Sequence, residues 1–86
     1  MGIDVVKPLL SIVVHARWDE HAKVWVATSN DIDGLAVEAD TIEFLAPKVT
    51  AAINDLISLN GIASTLEEIP VYIKTEQVSR ALNPQH

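Results

Sequence analysis

Residues 9–45 read LLSIVVHARWDEHAKVWVATSNDIDGLAVEADTIEFL, and a change of period inside this run decides the fold. In its first ten positions Leu10, Ile12, Val14, Ala16 and Trp18 fall on one side, with Ser11, Val13, His15 and Arg17 on the other. Period-two alternation rich in β-branched residues predicts a strand with one buried face and one partly wet face. The polar run Asp19-Glu20-His21-Ala22-Lys23 is a turn. After it Val24, Val26 and Thr28 alternate with Trp25, Ala27 and Ser29, so a five-residue connection joins a β-hairpin. Asn30-Asp31-Ile32-Asp33-Gly34 is dense in residues that favour turns and unusual backbone angles. Beyond it Leu35, Val37 and Ala39 alternate with Ala36 and Glu38 in a short third strand.

From Asp40 onward the period is helical. Ile42, Leu45, Val49, Ile53, Leu56 and Ile57 recur at spacings of three and four, with Glu43, Lys48, Asn54, Asp55 and Ser58 on the other side. Asp40 followed by Glu43 predicts a capping box at the start, and Asn60-Gly61 a stop. Pro47 predicts a bend near Leu45 and Ala46, or the start of a second helix, because its ring disfavours the preceding turn. Residues 69–76 (IPVYIKTE) read as a fourth strand that begins at Pro70 or lies on a sheet edge, since proline has no N–H to donate. The expected architecture is α+β and two-layered: a three-stranded antiparallel meander, a Pro-bent helix and a fourth strand (βββαβ) beside the first. Residues 1–86 are expected to form one domain, ordered from about 5 to 76, with a polar tail at 77–86.

Composition narrows the function. The 86 residues carry 12 acidic and 6 basic side chains, a formal charge of −6, and 49% are hydrophobic. That balance is globular rather than disordered. The six cations are scattered along an acidic chain, which argues against a primary nucleic-acid binder. There is no cysteine, hence no disulfide framework and no thiolate zinc site, and a cytoplasmic setting is expected. No apolar run approaches the ~18 residues of a membrane span, and Val6 stands where a myristoylation signal wants Ser or Thr.

No constellation reads as an active site. His15, His21 and His86 do not share a ligand set, although Asp19 and Glu20 neighbour His21. Ser29, Asp31, Asp33, Gly34 and Asp40 trace a partial calcium-loop spacing, but the first ligand and the closing glutamate are the wrong residues. Ser11 and His15 are four apart on a strand, more than ~10 Å at the usual rise, and do not meet. The glycines are too scattered for a phosphate loop. Catalytic, cofactor and metal residues are therefore expected to be absent. Trp18 and Trp25 flank the hairpin turn, where aromatic pairs either cover a small core or anchor a protein interface.

The ordered combination of these pieces resembles the short forms of the HicB-like antitoxins. The resemblance runs over residues 13–45, carried by Trp18-Asp19-Glu20, Val24-Trp25-Val26-Ala27, Asp31-Ile32-Asp33-Gly34-Leu35 and Glu38-Ala39-Asp40-Thr41-Ile42-Glu43, with Ile69-Pro70-Val71 resembling the closing strand. It implies a partial RNase H-like fold without nuclease residues. The implied role is to bind and mask a small basic HicA-like toxin, an mRNA endoribonuclease. Full-length members continue into a DNA-binding domain, which ten polar residues after position 76 do not supply, so operator binding is not expected. Relatives often carry Pro before the Gly of the second turn, where this chain has Asp33.

Three functions follow for testing. The first is a toxin-neutralising binding module with Trp18, Asp19, Glu20, Asp31, Asp33 and Glu38 facing the partner, the alternative for these six being an ordinary solvated rim. The second is a homodimeric interaction domain with no toxin partner. The third, a degenerate nuclease, would require magnesium-dependent cleavage lost on Asp31→Asn or Asp33→Asn. A homo-oligomer, dimer or higher, is expected in either of the first two cases, with no direct nucleic-acid contact.

Overall fold

In a computed structural model, which describes residues 9–61, 64 and 66–85, the chain forms one four-stranded sheet and one long helix. The elements run β1 (Ile12–Asp19), β2 (Val24–Thr28), β3 (Ala36–Ala39), α1 (Ile42–Asn60) and β4 (Val71–Glu76). Their order across the sheet is β3-β2-β1-β4. β1, β2 and β3 pair antiparallel as the meander predicted, and β4 lies parallel to β1, Ile12 against Val71 and Arg17 against Glu76. A parallel neighbour needs a crossover of a dozen residues or more, and the 19-residue helix supplies it by carrying the chain from one edge of the sheet to the other.

Strict alternation sets the two faces. Ile12, Val14 and Ala16 of β1, Ala27 of β2 and Ala39 of β3 are buried under α1, which contributes Leu45, Val49 and Ile53. Ile32 and Leu35, from the loop between β2 and β3, complete the core. The opposite face carries Val13, His15, Arg17, Val26, Glu38, Tyr72 and Lys74, and no element packs over it among the described residues. Arg17 and Glu76 meet there at 3.7 Å, an exposed pair worth at most ~1 kcal/mol.

Three expectations are corrected. Leu10 does not join the buried face: β1 begins two residues later, and Leu10 is 59% exposed. The helix is capped by Thr41, not Asp40. Thr41 has extended backbone angles and its hydroxyl accepts the Phe44 N–H at 3.2 Å, while Glu43 then falls at the second helical position, too early for a capping box. Finally, of the two alternatives at Pro47 the second helix is absent, since α1 runs as one helix from Ile42 to Asn60. Pro47 sits at the sixth helical position, so the carbonyl it cannot serve is that of Glu43, an exposed first-turn residue within reach of water. The predicted stop holds: Gly61 adopts φ 61° and donates its N–H to the Ile57 carbonyl at 3.1 Å. Pro70 proves to be both just before its strand and on an edge, and its carbonyl accepts the Ile12 N–H at 3.0 Å.

Candidate functional site

Successive turns of a meander lie at opposite ends of the sheet, and this separates the six sequence-predicted residues. Trp18, Asp19 and Glu20 sit where β1 ends; Asp31 and Asp33 sit beyond the other end, roughly 20 Å away along an eight-residue strand. Glu38 projects from β3 on the open face, opposite the face that carries Trp18 and Trp25. The six are therefore not one patch.

At the β1–β2 turn the polar groups are occupied with each other. The Asp19 carboxylate accepts the N–H groups of His21 (2.9 Å) and Ala22 (3.1 Å), and its carbonyl accepts that of Lys23 (2.8 Å), whose φ is 58°. The backbone bonds from Ala22 and His21 hold the Asp19 carboxyl below the ordinary value of 3.8. Glu20 Oε2 accepts the Trp18 indole N–H at 2.8 Å and the Lys23 ammonium at 3.1 Å, and the two together hold its carboxyl below 4.5. Trp18 in turn meets Trp25 edge to face, centroids 5.6 Å apart at 60°. Trp25 packs on the core, and with Asp40, Thr41, Ile42, Glu43 and Gln77 the two rings line a hollow of about 350 Å³.

Asp31 is also engaged. Its carboxylate accepts the Val13 N–H at 2.7 Å, while Ser29 Oγ donates to the Val13 carbonyl at 2.6 Å and accepts the Asp31 N–H at 3.1 Å. These side chains take over the β1 ladder where β2 has ended, so the calcium-loop spacing is spent on closing the sheet. Among the described residues no group of three or more His, Asp or Glu side chains converges as a metal ion would need.

A different surface emerges along β3. As an edge strand of four residues it leaves one side of its backbone without a ladder partner among the described residues. Burial of Ile32 and Leu35 turns Asp31 and Asp33 outward, with Gly34 at φ 88° permitting the bend. Glu38 on this strand and Asp40 just beyond it are both exposed, and residues 30–43 contain no Lys or Arg. Lys48 is the nearest cation, donating to the Glu38 carbonyl at 3.1 Å. Beside it Phe44, 66% exposed, lines a hollow of about 400 Å³ with Val24, Glu38, Ala39, Asp40 and Lys48. Asp40 and Phe44 stand outside the six sequence-predicted residues, Asp40 reading in sequence as part of the helix cap and the calcium-loop spacing; the absence of Lys and Arg from residues 30–43 is the signal the sequence offers.

No curated protein matches this sequence. Among solved structures, the crystal structure of a hypothetical protein from the extremely thermophilic bacterium Thermus thermophilus is similar, with a TM-score of 0.63 and 38% identity over 85% of this chain and 99% of that one. A family model matches residues 11–83, which cover all five elements. The chain belongs to that family, DUF1902, described as a domain of unknown function.

Proposed function

We propose that this chain is a protein-binding module of the antitoxin kind, which masks a small basic HicA-like endoribonuclease through its β3 edge. The observation that carries the reading is the juxtaposition on that edge of a free strand, the exposed carboxylates of Glu38 and Asp40 and an exposed aromatic ring, Phe44. An acidic strip draws in a basic partner and opposes RNA at the same surface. An exposed aromatic beside a hollow supplies the apolar anchor that charge alone lacks. The βββαβ order is the one the HicB-like resemblance implies, and it supports the same assignment.

The test is co-expression. A neighbouring reading frame encoding a small basic protein, expressed alone, should arrest growth and deplete mRNA. With this chain present, growth should recover and the two should co-purify, less completely at 1 M salt, where the Debye length falls to ~3 Å. Growth arrest that persists with the chain fully expressed, and no co-purification, would refute the proposal.

A further inference from the structure

The β4 edge differs from the β3 edge in charge, backbone and surroundings. Because the Pro70 carbonyl points at β1, alternation directs the N–H and C=O groups of Tyr72, Lys74 and Glu76 inward to β1 and those of Val71, Ile73 and Thr75 outward. Those outward groups have no ladder partner among the described residues. The helix packs mainly over β2 and β3, leaving Val71 and Ile73 only partly covered. A groove of about 540 Å³ runs there between α1 and the approach to β4, lined by Ile53, Ile57, Leu66, Ile69 and Val71 among others. Beyond β4, residues 77–85 have no regular structure and are all exposed, although they include Val78 (78% exposed) and Leu82 (98%). The Cα radius of gyration is 16.7 Å, against ~12 Å for a compact chain of this length.

We infer that β4 pairs antiparallel with β4 of a second copy, and that each copy's arm, residues 77–82, lies in the other copy's groove. One register brings both together. In an antiparallel pair centred on residues 73–75, the chain leaving Glu76 of one copy runs alongside residues 71 to 66 of the other, which are the groove's own wall. Six extended residues reach about 20 Å, enough to bring Leu82 to Leu66. The same path sets Arg80 beside Glu67 and Glu68 of the second copy, twice over by symmetry. This register sets Lys74 of each copy opposite the other's, with Glu76 of both copies diagonal to the pair, and the remaining charge in residues 69–85 is Arg80. The result is one eight-stranded sheet with both helices on the same face, and it stands whether or not the β3 edge takes a toxin.

Sedimentation equilibrium tests it. The wild-type chain is expected at the mass of two 9.4 kDa chains in the micromolar range. Thr75→Pro removes an outward N–H without touching the β1 ladder, and Leu82→Asp alters a side chain that makes no fold contact. Each should shift the mass to that of one chain, with an unchanged far-ultraviolet circular dichroism spectrum. A wild-type chain that sediments singly overturns the inference. A dimer that survives Thr75→Pro overturns the β4 pairing, and one that survives Leu82→Asp overturns the exchange of arms.

Discussion

Replacing Asp31 by alanine separates its two possible roles, because the same carboxylate that adds charge to the β3 edge also closes the sheet. In the structure it accepts the Val13 N–H at 2.7 Å. A hydrogen bond to a charged acceptor contributes ~1.5–3 kcal/mol, reduced here because the carboxylate is exposed, so about 1–2 kcal/mol is lost. For a domain of this size each kcal/mol corresponds to roughly 4–8 °C, so Tm should fall by roughly 4–16 °C. Asp31→Asn keeps an acceptor while removing the charge, and should lose about half as much. Asp33→Ala, two residues away in the same turn but with no hydrogen bond to its side chain among the described residues, should stay within ~0.5 kcal/mol. Thermal unfolding followed by calorimetry on the three variants reads this directly. An unchanged Tm for Asp31→Ala, or an equal loss for Asp33→Ala, would refute the assignment of Asp31 to the β1 ladder.

Two further outcomes follow from the fold. Pro47→Ala should stabilise the protein by about 1–3 kcal/mol in urea unfolding, since it restores the helical N–H that would serve the Glu43 carbonyl; a destabilised variant would mean that Pro47 holds a packing contact worth more than that bond. Asp19 and Glu20 titrate lower in the folded hairpin than in the unfolded chain, so their ionised forms stabilise it. That contribution is complete above the ordinary values of 3.8 and 4.5 and disappears as the pH falls through the lowered ones. The near-ultraviolet dichroism of the Trp18–Trp25 pair should therefore weaken on acidification below about pH 4, and the change should be smaller in a double Asp19→Asn, Glu20→Gln variant.

The strands were legible because alternation is a direct imprint of a sheet with one covered face. Val14, Ala16 and Ala27 are buried where period two places them, and the switch to spacings of three and four at Ile42 marks the helix within one residue. The cap was misread because Asp40 and Thr41 are both good capping residues and only the backbone angles choose between them. Pro47 left a bend and a second helix both open because a proline's effect depends on whether the unserved carbonyl can reach water, and exposure is a tertiary property. The candidate site was less legible still. Turns that look alike in sequence, Asp19-Glu20 and Asp31-Ile32-Asp33, stand at opposite ends of β1, and their carboxylates mostly serve nearby N–H groups. An edge strand becomes visible only when the strand order is known: β3 is third in sequence and outermost in space.

The proposed toxin surface is tested most directly by reversing one charge on it. Glu38 projects from the β3 edge strand, and Glu67 is exposed beside β4 at the opposite edge of the sheet. With a co-encoded basic protein as ligand, titration calorimetry should show Glu38→Lys weakening the complex by at least tenfold while Glu67→Lys stays within twofold, both variants keeping the wild-type Tm. Equal affinity for the wild-type chain and Glu38→Lys would place the partner elsewhere and contradict the account.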